Sequence, residues 1–91
     1  MHVTVEFFGP AREAAGQSRL GVDCDTPATA QELVARLARE RGGRLAYLLL
    51  ADDRLAPFVL VAVNDVQVAG PVPLKDGDEI TVLPPVSGGS R

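Results

Sequence analysis

A capping box at Thr29-Ala30-Gln31-Glu32 opens the one long helical pattern in this chain, and strand-like patterns lie on both sides of it. In a capping box the Thr29 hydroxyl accepts from the Glu32 amide while the Glu32 carboxylate reaches back to the Thr29 N–H. Leu33, Val34, Leu37 and Ala38 then fall on one stripe, Glu32/Arg36 and Arg36/Glu40 are spaced four apart on the wet side, and Gly42-Gly43 ends the segment. The spacing predicts an amphipathic helix over 30–41 laid on a sheet. With 91 residues there is room for one core, so that helix and the strands around it must bury one another.

Val3, Val5 and Phe7 alternate with His2, Thr4 and Glu6, the period of a strand with one face in the core. Gly9-Pro10 breaks it. The stretch from Ala11 to Gly16 predicts a helical turn closed by glycine, and Ser18 to Asp23 returns as a second strand, paired antiparallel to the first. Leu45, Leu48, Leu49 and Leu50 suggest a second short helix before a charged loop at Asp52-Asp53-Arg54. Phe58 to Val63 is apolar on both parities, as expected of a strand at the sheet centre or one whose outward face meets something. Asn64-Asp65 turns the chain into Val66-Gln67-Val68, Asp76-Gly77 makes a tight turn, and Glu79 to Leu83 alternates as the last strand. A single long helix between two sheet-forming halves predicts an α+β fold, a mixed sheet with one main helix across one face, which is the β-grasp arrangement. The domain is expected over 1–83 and a flexible tail over 84–91.

Composition narrows the function. A formal charge of −3 and a pI near 4.9 argue against a nucleic-acid footprint, which needs a basic face to neutralise phosphates. Arg36, Arg39, Arg41 and Arg44 form a local basic cluster, but Glu32 and Glu40 share it and no aromatic residue alternates with it, so it reads as a solvated helix face. The single cysteine, Cys24, excludes an intrachain disulfide and suits a reducing compartment. It is expected to be buried or half-buried beside Val22, and the lone histidine, His2, lies on another segment, so neither a Cys/His catalytic pair nor a zinc set is expected. No signal-peptide pattern and no bilayer-length apolar run is present, and the expected setting is the cytoplasm with no membrane partner.

The last eight residues are of another kind. Pro84-Pro85 cannot donate to a sheet ladder, so strand pairing must stop there, and Val86-Ser87-Gly88-Gly89 follows. Gly88 and Gly89 have no Cβ and can pass through a channel too narrow for any other residue. A frayed terminus is the plain alternative.

Three pieces of the chain coincide: the strand pair before the helix, Val63-Asn64-Asp65-Val66, and the run from Leu74-Lys75-Asp76-Gly77-Asp78-Glu79 through Pro84-Pro85 to Gly88-Gly89. Together they resemble the MoaD/ThiS family of ubiquitin-like sulfur-carrier proteins, which includes the small subunit of molybdopterin synthase. The Phe7-Phe8-Gly9-Pro10-Ala11-Arg12-Glu13 segment is similar to the family's first strand and following turn. The resemblance implies that an adenylating enzyme of the ubiquitin-activator type uses ATP to join the glycine carboxylate to AMP, and that sulfide from a persulfide donor then displaces AMP to leave a thiocarboxylate. The carrier itself would bind no cofactor and supply no acid, base or metal. By the same resemblance Gly89 carries the sulfur and Gly88 permits the narrow passage. Phe8, Phe58, Leu60 and Leu83 on the strands, with Pro84, Pro85 and Val86, become candidates for docking a partner, such as the large subunit of molybdopterin synthase or another sulfur acceptor.

The chain departs from the family pattern after the second glycine, where Ser90 and Arg91 follow. Removal by a JAMM-type metallopeptidase, a terminus altered in another way, and loss of carrier use are the competing explanations. Two other roles stay open beside the molybdopterin branch: sulfur transfer in another thio-cofactor or amino-acid pathway, and a β-grasp interaction module whose tail is never activated. Conjugation to lysines as a modifier is a further possibility.

Overall fold

In the computed structural model, residues 1–24, 29–52, 54–68 and 70–83 are described. They form a five-stranded mixed sheet, a separate two-stranded hairpin and three helices. The order along the chain is β1 (His2–Phe7), α1 (Gly9–Ala15), β2 (Arg19–Asp23), α2 (Ala30–Arg41), α3 (Gly43–Leu49), β3 (Leu50–Ala51), β4 (Arg54–Leu55), β5 (Leu60–Val63), β6 (Val66–Val68) and β7 (Glu79–Leu83). Across the sheet the order is β2-β1-β7-β5-β6. Only β1 and β7 run parallel, with Val5 opposite Ile80 and Phe7 opposite Val82.

The inward parity of the strands makes one side of the core. Val3, Val5, Phe7, Val61, Ile80 and Val82 are buried, and the apolar stripe of α2 closes over them with Leu33, Val34, Leu37 and Ala38. Each large side chain so enclosed contributes about 1.5–3 kcal/mol relative to exposure. The capping box forms as the spacing predicts: Glu32 N donates to Thr29 Oγ1 at 3.1 Å and Thr29 N donates to Glu32 Oε1 at 2.9 Å. Arg41 then ties the far end of α2 to α1, its Nη1 donating to the Ala15 carbonyl at 3.1 Å.

Several boundaries differ from the sequence expectation. The helical turn expected from Ala11 begins earlier, at Gly9, because Pro10 occupies the first turn, where its missing N–H costs nothing. The expected second short helix is α3, and it follows α2 at once. Gly42 and Gly43 both take positive φ (63° and 54°), which lets the chain reverse without a loop. Leu45 and Leu49 of α3 are buried, so this helix is part of the core. Of the expected charged loop at 52–54, Asp52 follows β3 and Arg54 already opens β4, in a hairpin whose two-residue strands are too short to show a period; Asp53 lies outside the described residues.

The strand expected from Phe58 begins at Leu60. Ala56 accepts from Val59 N at 3.0 Å, closing a turn in which Pro57 is pre-set for the bend and Phe58 sits before the ladder. Nor is that strand the sheet centre, which is β7; β5 lies between β7 and the outermost strand β6. Its apolar character on both parities has another cause. The outward-facing residues are Ala62, small enough to be covered by its neighbours, and Leu60, which is exposed.

Candidate docking face at the end of the last strand

Leu83 ends β7 and stands opposite Leu60 of β5. Both belong to the parity that faces away from the helices, and both are exposed. On the other flank of β7, Phe7 pairs with Val82, so Phe8 continues alongside Leu83; its backbone is still extended (φ −123°, ψ 156°) and its ring is exposed. Phe8 just past β1, Leu83 of β7 and Leu60 of β5 thus lie in an apolar row at the end of the sheet where the chain runs on to Pro84. Phe58, more than half exposed at 55%, stands at the same end in the turn before β5. The described candidates Phe8, Phe58, Leu60 and Leu83 are therefore gathered in one region. Pro84, Pro85, Val86, Gly88 and Gly89 lie outside the described residues.

The rest of this face is polar. Arg19 approaches Glu6 at 3.7 Å and Glu79 at 3.6 Å, and Thr4 and Thr81 are half-buried. Exposed apolar side chains gathered in a row make this face a candidate for docking.

At the opposite end of β7, the two sequence pieces that carried the family resemblance meet. Asn64 and Asp65 both take positive φ (52° and 69°), which fits a two-residue hairpin turn between β5 and β6. The Asn64 side chain spans to the next turn: its Nδ2 donates to Asp78 Oδ1 at 3.0 Å and its Oδ1 accepts from Glu79 N at 2.9 Å. Asp78 Oδ2 accepts from Lys75 N at 2.7 Å, closing the 75–78 turn that Gly77 permits with φ 89°. The Lys75 amide, then the Asn64 side chain, holds the Asp78 carboxyl below its ordinary range. Asp76 Oδ1 accepts from His2 N at 2.7 Å, which fastens the same turn to β1. These motif residues thus tie β1, β5 and β7 to one another.

Cys24 is buried as expected, with its backbone paired to Met1 in both directions at 2.8 Å. The nearest polar contact of its sulfur is Arg36 Nη2 at 3.8 Å, while the His2 ring is engaged with Asp23 at 2.8 Å. Among the described residues no three His, Cys, Asp or Glu side chains are grouped to hold a metal ion. Sequence reasoning missed Tyr47, which is 84% exposed on α3, and Val66, exposed on β6; neither stands in a motif that would have marked it.

The sequence pattern of the ThiS family matches residues 5–89. Among curated proteins, the molybdopterin synthase sulfur carrier subunit of Escherichia coli is 39% identical over 87 residues, covering 96% of this chain and 99% of the relative. Small archaeal modifier protein 3 of Haloferax volcanii is 34% identical over 93 residues, covering 98% and 100%. Among solved structures, SAMP1 from Haloferax volcanii superposes with a TM-score of 0.81 at 27% identity, covering 98% of this chain and 100% of that one. The complex of subunits 1 and 2 of molybdopterin-converting factor from Helicobacter pylori contains a chain that matches with a TM-score of 0.62 at 31% identity, covering 98% and 100%. Built on a β-grasp sheet and matched along nearly its whole length, the chain belongs to the ThiS family of ubiquitin-like sulfur carriers.

Proposed function

We propose that this carrier is charged at Gly89 and delivers its sulfur to a molybdopterin synthase, in the cytoplasm, after Ser90 and Arg91 have been removed by a JAMM-type metallopeptidase. The observation that carries this reading is that the family match runs through Gly88 and stops at Gly89, six residues beyond an exposed apolar row on the last strand. Six residues reach at most about 20 Å, enough to enter a partner's active site while the sheet docks outside.

A carboxylate with a pKa of about 3.3–3.7 is anionic at neutral pH and a poor electrophile. Attack of its oxygen on the α-phosphorus of ATP, held by an adenylating enzyme of the ubiquitin-activator type, expels pyrophosphate and makes an acyl adenylate. Hydrosulfide then adds to the acyl carbon, the bond to the phosphate oxygen breaks, and AMP leaves behind a thiocarboxylate. The domain over 1–83 acts as the handle and the segment 84–91 as the arm. Phe8, Phe58, Leu60 and Leu83, with Pro84, Pro85 and Val86, form the contact with each partner in turn.

Residues after Gly89 place the free carboxylate elsewhere and block adenylation. Incubating the full chain and a version ending at Gly89 with the cognate adenylating enzyme and ATP tests this. Acyl-adenylate should form only on the shorter chain, and equal AMP transfer to both would refute the block.

The small archaeal modifier relative favours a second reading, transfer of the glycyl carboxyl to lysine amines. It differs in its product: adducts of higher mass in lysate rather than a sulfurated carrier.

A further inference from the structure

A well-formed concavity among the described residues lies on the helix side of the sheet. It is a groove of about 830 Å³ with α2 as one wall, residues 54–57 as the other, and β5 and β6 beneath. Leu55, Pro57, Val61 and Val68 give it an apolar floor. Gln67 lines it together with Val68, although neighbouring residues of a strand point to opposite faces. The groove therefore passes over the outer edge of β6, the outermost strand, which among the described residues pairs with β5 alone. Such an edge presents backbone N–H and C=O groups to whatever lies beside it.

Charge selects the occupant. Arg36, Arg39 and Arg54 line the groove, and the one carboxylate among its described lining residues, Glu32, is folded back onto Thr29. On a chain of net charge −3 this is a local reversal of sign. The α2 wall also carries a buried acceptor with no hydrogen-bond partner among the described residues, Gln31 Oε1, while Arg36 Nε, likewise without a hydrogen bond, stands 4.0 Å from Glu40 Oε2. Buried polar atoms are ordinarily paired, so the open Gln31 acceptor suits a ligand bearing N–H groups, and the arginine side chains suit one bearing anionic oxygens.

We infer that this groove takes an extended acidic segment of a partner protein, added as a strand along β6. Main-chain groups of the segment pair with the β6 edge, alternate apolar side chains lie over Val61 and Val68, and its carboxylates meet the arginines. This site does not depend on charging of the glycine tail, and apart from Leu60, which it shares with the apolar row, it is lined from the helix side and the β6 edge.

The test is selection of a displayed library of random twelve-residue peptides on the full 91-residue chain, followed by titration of the enriched peptides by NMR. The expected result is enrichment of Asp and Glu alternating with β-branched residues, amide shifts concentrated at Val66–Val68 and along α2, and at least a tenfold loss of affinity in R36E/R54E. The single variant R54E, on an exposed hairpin residue, is the second probe and should weaken binding with an unchanged amide spectrum. No enrichment, enriched peptides lacking acids, shifts confined to the Leu60–Leu83 face, or affinity indifferent to charge reversal would overturn the proposal. Equal shifts with inorganic phosphate alone would assign the groove to small anions and overturn it too.

Discussion

Leu60 lies directly across the β5–β7 ladder from Leu83, on the side of the sheet that the helices leave open, and Leu83 is the last residue before the double proline. Directly opposed residues on one face have Cβ atoms about 4.5–5.5 Å apart, so the two leucines form one apolar surface. Replacing either by a charged residue changes that surface without entering the core. Leu60→Glu and Leu83→Asp should each weaken binding to the large synthase subunit at least tenfold, about 1.4 kcal/mol, with an unchanged circular dichroism spectrum. Titration calorimetry checks this. Binding unchanged in both variants would remove this face from the interface.

The capping box makes a separable claim about stability. Thr29→Ala removes the acceptor for Glu32 N and leaves the first turn of α2 with an orphan donor. The expected loss is about 1 kcal/mol, or roughly 4–8 °C in Tm for a domain of this size. Differential scanning calorimetry measures it directly.

Two carboxylates contribute to the acid side of the stability profile. Glu32 is lowered by its hydrogen bonds to Thr29, backbone amide first, and Asp78 by the Lys75 amide and then Asn64. A group whose folded pKa lies below its unfolded value stabilises the fold above the unfolded pKa, about 4 for these side chains, and loses that stabilisation as pH falls through the folded value. The urea midpoint should therefore drop as pH is lowered below about 4, and less steeply in E32Q/D78N. A double variant that follows the same acid limb as the parent would contradict these assignments.

Helix α3 should behave as core. Leu49 is fully buried, so Leu49→Ala leaves a cavity and should cost about 2–5 kcal/mol, read as a fall in the denaturant midpoint. Tyr47→Ala, on the exposed side of the same helix, should change stability by less than about 0.5 kcal/mol.

Much of this architecture is legible in the chain because its signals are local. The capping box, the alternation of Val3, Val5 and Phe7, and the Asn64-Asp65 and Asp76-Gly77 turns each state their own conformation, and each appears where the spacing predicts. Strand β5 is less legible. Its apolar run mixes residues with three fates: Phe58 in a turn, Leu60 on the bare face, and Val61 and Val63 in the core. Which is which depends on the Ala56–Val59 turn and on strand order, and neither leaves a local pattern. The β3–β4 hairpin is shorter than any period can register. For the candidate site, the outward parity of Leu83 and Leu60 can be read along their strands, whereas the join of Asn64 to Asp78 bridges 14 positions and emerges only once the strands are paired.

The most direct measurement of the central claim is the intact mass of the protein isolated from cells that are making the cofactor. A chain ending at Gly89, part of it with one carboxylate oxygen exchanged for sulfur, is the predicted result. A chain that always keeps Ser90 and Arg91 and never shows a sulfurated form would contradict it.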